Sequence, residues 1–269
     1  MNNKLLFLIV SAACFLLLGV LSTNFVRFDK QNAAMGQVMP NEHPLDTVVY
    51  ESSNNSKSAG AGSTMGYINT TAYWHGNGRI YAFIKIEDGV KHASDIKKLV
   101  RSAVNGNSSA SNEKNYTGWN VLTDSVLRSH DKRMSLLLTD QEKNANIIIT
   151  FTNKADDAGH NAYGRTIMKL DRNDRTSLSS VQIFIFKTNQ LYDRNILKPV
   201  ITHEIGHAFG LQHSTSQKSI MYPKIVVMDN KPVGTIEQCE FNAINNMYIE
   251  SQVGKVPCEN IPPWAEYVP

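Results

Sequence analysis

The sequence has few cysteines and little net charge, and both features limit the classes of protein to which it can belong. Its 269 residues include three cysteines, and its formal net charge is +3 at pH 7. Such a small charge does not indicate nucleic acid or an acidic partner, and no basic run with interleaved aromatic residues is present. With 42% hydrophobic residues, the length allows one substantial domain with appendages.

The N-terminus is strongly apolar. Lys4 precedes an apolar run from Leu5 to Leu21, interrupted only by Ser11 and Gly19. Residues 1–26 are therefore predicted to be a signal peptide or a signal-anchor. The run lies between these two classes in length, and no Ala-x-Ala site marks a cleavage point. Membrane anchoring through residues 5–21 stays an alternative to cleavage, and in both cases the rest of the chain is exported.

Cysteine usage agrees with export. Cys14 lies in the targeting segment, which leaves Cys239 and Cys258 as the pair in the body of the chain. In an oxidising compartment, two cysteines that flank a short loop favour a disulfide over two unpaired thiols. We expect this bridge to fasten the C-terminal tail to the last helix.

The chain divides into four parts by composition. Residues 27–66 lack periodicity and contain a Gly/Ser/Asn-rich run, so they are predicted to be a flexible linker or a short pro-segment. Residues 67–250 have the texture of a globular domain, and residues 251–269 are predicted to be a short tail.

Residues 203–213 read His-Glu-Ile-Gly-His-Ala-Phe-Gly-Leu-Gln-His. On a helix, His203 and His207 project from one face, so both can reach a single zinc ion at about 2.0–2.1 Å. Glu204 can then lean over the metal without binding it, as a general base does. Gly210 can take a left-handed conformation and turn His213 back as the third ligand. An open fourth position is typical of one catalytic zinc.

A methionine turn follows this motif at Ser219-Ile-Met-Tyr-Pro223. The extended zinc motif with this turn resembles the metzincin metallopeptidases, and within them the matrixins, the matrix metalloproteinase family. The resemblance implies that Met221 forms an apolar floor beneath the zinc and binds no metal. Astacins and serralysins have a tyrosine ligand where this chain has Pro223, so no tyrosine ligand is expected.

The resemblance covers about residues 70–250 and implies an α+β fold. That fold has a twisted, mixed five-stranded sheet with one antiparallel edge strand, an active-site helix, the methionine turn and a C-terminal helix. Four segments suit strands of such a sheet: 79–86, 134–138, 146–151 and 181–186. Residues 92–104 have helical spacing with Ser94 as candidate N-cap, and a capping box is expected at 235–238.

The same resemblance implies a zinc endopeptidase that cleaves internal bonds of extended proteins, with Glu204 as base toward a zinc-activated water. Residues 161–169 correspond by order to the edge strand that pairs with substrate. The candidates for the substrate pocket are Ile167 and Met168 in this segment, and Tyr222 and Pro223 directly after Met221. The protein is expected to be monomeric and extracellular, either secreted or anchored at the membrane.

Three features depart from vertebrate matrixins or leave alternatives. No cysteine lies between Cys14 and Cys239, which excludes a cysteine switch. The histidines that would form a second zinc site are absent. For the loop upstream of the zinc motif, the alternatives are a solvated loop and a calcium site, and no motif supports calcium. The groups available there are Asp156, Asp157, His160, Asp171 and Asp174. Other functions with the same fold are a zinc-bearing surface binding protein and a narrowly self-processing enzyme.

Overall fold

The structure is a computed structural model that describes residues 47–51, 66–76, 78–106, 117–156, 162–228, 231–233 and 235–258. These residues belong to one compact unit, Met39–Pro269, whereas a second unit, Met1–Val38, lies outside the described residues. The predicted targeting segment and most of the predicted linker also lie outside them. No helix among the described residues is long and apolar enough to cross a membrane.

The described residues form strands and helices in mixed order. The strands are β1 (Thr47–Glu51), β2 (Tyr67–Thr70), β3 (Gly78–Ile86), β4 (Met134–Thr139), β5 (Ile147–Phe151), β6 (Gly164–Leu170), β7 (Leu178–Ile185), β8 (Leu211–Ser214), β9 (Lys224–Met228), β10 (Lys231–Val233) and β11 (Lys255–Pro257). The α-helices are α1 (Ala93–Asn105), α2 (Trp119–Leu127), α3 (Thr188–Asp193), α4 (Leu197–Ala208) and α5 (Gln238–Tyr248).

The main sheet has five strands in the order β4-β3-β5-β7-β6. β3, β4, β5 and β7 pair in parallel, and β6 pairs antiparallel with β7 at the edge. The mixed sheet with one antiparallel edge strand is therefore confirmed. The central strands carry β-branched residues such as Ile147, Ile149 and Ile183, which lie on one face of the sheet and are each about 1% exposed.

Helix α1 buries Ile96, Val100 and Val104, which lie four residues apart on one face. The prediction of Ser94 as its N-cap is wrong, because the N-cap is His92, in the left-handed region at φ 58° with no side-chain capping bond. Local sequence alone could not exclude Ser94, since the helix boundary is set by the preceding turn.

Helix α2 was not predicted from the sequence. Its buried residues include Trp119, Leu122 and Val126, at helical spacing. Trp119 donates from Nε1 to the carbonyl oxygen of Thr202 at 2.8 Å, so this helix is held against α4. Nine residues are too few for a stable isolated helix, so packing against the rest of the domain stabilises α2.

Helix α5 begins two residues later than the predicted capping box. Glu237 is the N-cap, and its side chain and that of Glu240 satisfy each other's backbone amides. The predicted box at Thr235–Gln238 is therefore wrong in register. The side chain of Thr235 bonds instead to the carboxylate of Glu237 at 2.6 Å.

Two small sheets adjoin the ends of the domain. Strands β11, β2 and β8 form one, in that order, and Cys239 forms a disulfide with Cys258 just beyond β11. Strands β1, β9 and β10 form the other, in which β1 runs parallel to β9. Residues 47–51 of the predicted linker or pro-segment thus form a strand that local composition did not indicate, because its hydrogen-bond partners come from β9.

Candidate metal centre

Helix α4 carries two of the predicted zinc ligands into the interior. Its residues from Val200 to Ala208 are all buried, and His203 and His207 are 1% and 2% exposed. An apolar helix can hold polar side chains at such depth only where they find partners. The two imidazole rings lie edge to face with centroids 4.8 Å apart.

Gly210 ends the helix segment and directs the chain into β8. Its φ is 92°, and a Cβ atom at this position would overlap the carbonyl oxygen of Ala72. Glycine is therefore needed both for the left-handed conformation and for the close backbone approach. Strand β8 pairs with β2 and places His213 beside the other two histidines.

The three histidines present nitrogen atoms to a common point. Their candidate ligand atoms all lie within 4.8 Å of one another. His203 Nδ1 faces the carbonyl oxygen of Ile220 at 2.7 Å, and His207 Nδ1 faces that of Leu211 at 2.6 Å. Because carbonyl oxygens only accept, each Nδ1 carries the hydrogen, and each Nε2 presents a lone pair.

The positions of the Nε2 atoms indicate that the site fits a metal ion. The Nε2 atoms of His203 and His207 are 3.1 Å apart. Two lone pairs at that separation repel each other unless a cation lies between them. Fixed backbone partners on Nδ1 are also how zinc-binding histidines are oriented in proteins. The donor set and its support therefore fit zinc.

The methionine turn (residues 219–223) packs against helix α4, where the carbonyl oxygen of Ile220 faces His203 Nδ1. Met221 is fully buried, and a Cβ added to Gly206 would meet its Sδ atom. The same Cβ would lie 2.8 Å from Cζ2 of Trp119. Gly206 thus lets helix α4 approach both side chains closely, while the support role of Met221 stays a prediction.

Glu204 is completely buried beside the histidines. The hydroxyl of Thr166 on β6 donates to Glu204 Oε2 at 2.6 Å. Burial raises the pKa of Glu204 to about 8, while the hydrogen bond from Thr166 acts in the opposite direction. Zinc at the neighbouring histidines would lower this pKa and favour the charged form that a general base needs.

A second buried carboxylate escaped the sequence analysis. Glu240 on α5 accepts a hydrogen bond from the Ser219 hydroxyl, and its other oxygen accepts from the backbone amide of Glu237 at 2.9 Å. The amide of Met221 donates to the Ser219 hydroxyl at 2.9 Å. Glu240 therefore anchors the methionine turn to α5. The only feature of the sequence that could have identified Glu240 is its place three residues after the N-cap, Glu237.

The predicted pocket residues do not share one surface. Thr166 faces α4, so Met168 shares its side of β6 while Ile167 lies on the opposite side, since side chains alternate along a strand. Tyr222 and Pro223 are half-buried in the methionine turn. A cavity of about 310 Å³ is lined instead by residues including Tyr73, Trp74, Lys132 and Tyr248.

The acidic residues and the histidine upstream of α4, which the sequence offered for a second metal site, do not lie together. Asp156 forms a buried ion pair with Arg165, and Asp174 pairs with His75 at 3.3 Å. Asp157 and His160 lie outside the described residues. Among the described residues, the three histidines are the one His/Cys/Asp/Glu group whose geometry could hold a metal. Calcium binding stays a prediction.

Comparison with known proteins decides the family. A family model described as Matrixin matches residues 109–249. The chain belongs to the matrixin family. Its sequence is 40% identical over 65 residues to matrix metalloproteinase-18 of Xenopus laevis, which is 24% of this chain and 13% of that protein. It is also 40% identical over 58 residues to matrix metalloproteinase-26 of Homo sapiens, which is 22% of each protein.

The matched part of this matrixin includes α4, the three histidines and the methionine turn. The predicted family, fold class and zinc metalloendopeptidase class are thereby confirmed, and matrixins use zinc. The alignments span far less than two thirds of the length of these relatives. What this particular chain cleaves, and where, is therefore a proposal.

Proposed function

We propose that this matrixin is an exported, zinc-dependent endopeptidase that hydrolyses internal bonds of extended protein substrates. The observation that carries the proposal is the position of Glu204. Glu204 directly follows His203 in α4 and its carboxylate is fully buried, while the candidate ligand atoms of the three histidines lie within 4.8 Å of one another. The Glu204 oxygen Oε1 has no hydrogen-bond partner among the described residues, and an unsatisfied buried carboxylate oxygen is typical of a catalytic group.

Each residue of the site has a separate part in this reaction. His203, His207 and His213 would hold zinc, which supplies a Lewis acid that lowers the pKa of water and polarises a carbonyl. Glu204 takes the proton from the attacking water and passes it to the leaving amine. A covalent intermediate is not needed, so no serine or cysteine acts as nucleophile.

Strand β6 supplies the surface on which an extended substrate would lie. It is the antiparallel edge of the main sheet and, among the described strands, pairs with β7 alone. The free side presents backbone donors and acceptors that a peptide can complete as a further strand. Backbone pairing gives affinity with little sequence preference, so specificity depends on a pocket near Tyr222 and Pro223.

The test compares the wild-type chain with Glu204→Ala on a library of quenched fluorescent peptides. We expect wild type to cleave, 1,10-phenanthroline to abolish cleavage, and the variant to lose about 10²–10⁴-fold in rate. Both samples should contain about one zinc per chain. Cleavage by Glu204→Ala near the wild-type rate would refute the base, and a folded wild type without zinc would refute the metal site.

Self-processing is a second candidate, favoured by strand β1. Residues 47–51 precede the catalytic domain, yet they pair with β9, which begins three residues after Met221. The chain thus brings its own upstream segment next to the strand that follows the methionine turn. In the same samples, shortening of wild type but not of Glu204→Ala, with a cut between residues 27 and 66, would support this narrower role.

Export is proposed from two features of different kinds. Residues 5–21 form an apolar targeting run, and Cys239 and Cys258 form a disulfide, which persists in oxidising compartments. The mass of the exported protein decides between a cleaved signal peptide and a retained anchor.

A further inference from the structure

Two residues of the edge strand hold the carboxylate of Glu204 from one side. Gly164 and Thr166 lie two residues apart in β6, so they face the same side of the sheet, toward α4. The Thr166 hydroxyl donates to Glu204 Oε2 at 2.6 Å, and a Cβ added to Gly164 would overlap Glu204 Oε1. Thr166 and Glu204 are 2% and 0% exposed, so water does not compete for this bond.

We propose that Thr166 is a positioning residue for Glu204 and that Gly164 leaves the space its reactive oxygen needs. The inference rests on the proposed function, in which Glu204 is the base. It assigns different tasks to the two carboxylate oxygens. Oε2 is held by Thr166, whereas Oε1 has no hydrogen-bond partner among the described residues and is the atom that takes the proton from water.

The hydroxyl of Thr166 has one hydrogen to donate and two oxygens of Glu204 within reach. The backbone oxygen of Glu204 lies at 3.3 Å, against 2.6 Å for Oε2. The shorter contact is the stronger one. The hydroxyl therefore fixes the carboxylate, and a side chain with three rotatable bonds is held in one orientation.

The same strand that holds the base also offers its free edge to the substrate. Its register with β7 runs from Gly164 opposite Ile185 to Leu170 opposite Leu178, so Thr166 lies within a paired, rigid segment. A peptide bound along this edge and the carboxylate held by Thr166 are then positioned by one element. Their relative placement does not depend on a loop.

The first experiment compares Thr166→Val, Thr166→Ser and wild type in steady-state cleavage of one peptide. Valine has nearly the shape of threonine without the hydroxyl, and serine keeps the hydroxyl. We expect Thr166→Val to lower kcat about tenfold to a hundredfold with little change in KM and zinc content, since the lost bond acts on a charged group. Thr166→Ser should recover most of kcat.

Thr188→Val is the matched control. Thr188 is also fully buried, but its hydroxyl bonds to the backbone oxygens of Thr152 and Ile185, at 2.9 and 3.1 Å. It makes no contact with Glu204 among the bonds of the described residues. The same substitution there should leave kcat within about twofold of wild type, even if it lowers the melting temperature.

A second experiment measures the contact without activity. Urea unfolding of metal-free wild type, Thr166→Val, Glu204→Ala and the double variant forms a double-mutant cycle. We expect the double variant to unfold at a higher urea concentration than the sum of the single shifts predicts, because both single changes remove the same bond. Additive shifts would overturn the contact.

The outcomes separate this inference from the proposed function. An active wild type with Thr166→Val equal to it in kcat refutes the positioning role alone. A wild type that binds zinc but cleaves no peptide refutes the endopeptidase, while the unfolding cycle still decides whether Thr166 holds Glu204. A parallel fall in kcat for Thr166→Val and Thr188→Val would mark a general loss of structure and refute the specific role.

Discussion

At the scale of single residues, the most consequential side chains are two buried glutamates with different tasks. Glu204 lies beside the histidines and is held by Thr166, while Glu240 lies beneath the methionine turn and is held by Ser219. Both are fully buried, and burial raises the pKa of Glu240 to about 7. Hydrogen bonds from Ser219 and from backbone amides oppose that rise. In the proposed reaction only Glu204 transfers a proton, and the contacts of Glu240 indicate that it positions the turn.

Glu240 gives a prediction for stability against pH. Its folded-state pKa of about 7 lies above its ordinary value of 4.5, so the unfolded chain loses this proton first. The free energy of unfolding should therefore fall between about pH 4.5 and 7, by a few kcal/mol at roughly 1.4 kcal/mol per pH unit. In Glu240→Gln that fall should be smaller, as urea unfolding at pH 5 and pH 8 will show.

The comparison with wild type isolates this one group. Glu204 also has a raised pKa, and its contribution is the same in both proteins, so it cancels in the difference. Parallel stability curves for wild type and Glu240→Gln would contradict the assignment. The glutamine keeps an oxygen for the Ser219 hydroxyl, which limits the loss of structure.

At the scale of elements, the end of α4 decides whether the third histidine reaches the site. Gly210 has φ 92° and packs against the carbonyl oxygen of Ala72. His213 follows three residues later on β8, which pairs with β2. The position of the ligand is therefore set by a turn that only glycine fits.

Gly210→Ala should destabilise the protein and weaken zinc binding. The left-handed conformation costs an alanine about 1–2 kcal/mol, and the overlap with Ala72 adds further displacement of β8. Gly89→Ala is the control, since Gly89 also has a positive φ, 85°, but nothing lies within 4 Å of an added Cβ. We expect a larger fall in melting temperature and a higher zinc dissociation constant for Gly210→Ala, and equal effects would contradict the clash.

The elements also show where prediction from sequence was limited. Helix α4 was predictable because its histidine spacing is itself a helical pattern, and the strands β5 and β7 because of their β-branched content. Helix α2 was not, since nine residues around Trp119 take helical form mainly through packing against α4. The cap of α1 at His92 likewise depends on the turn that precedes it.

At the scale of the whole molecule, the C-terminal segment is joined to the domain by covalent and hydrogen bonds. Strand β11 pairs with β2, and Cys258 is bonded to Cys239 in α5, 19 residues earlier. The Ser214 hydroxyl at the end of β8 lies 3.3 Å from the sulfur of Cys239. The predicted tail thus includes a strand of the domain that carries the histidines.

Removal of the disulfide should lower stability without removing the site. Closure of a loop of this length contributes about 3 kcal/mol in the chain-entropy account. We expect the double variant Cys239→Ser/Cys258→Ser to unfold at lower urea than wild type while it keeps zinc and activity in native buffer. An unchanged midpoint would show that pairing of β11 with β2 suffices.

The sequence by itself identified the family and the zinc metalloendopeptidase class of this protein. The spacing of His203, Glu204, His207, Gly210 and His213 follows from the helical repeat and a turn at glycine, which are local properties of the chain. The methionine turn and the family resemblance are likewise carried by short, contiguous motifs. The tertiary structure decided what surrounds that chemistry. Three contacts join distant segments of the chain: Thr166 with Glu204, Glu240 with the methionine turn, and β1 with β9. No local sequence pattern encodes them, because each depends on how the elements pack.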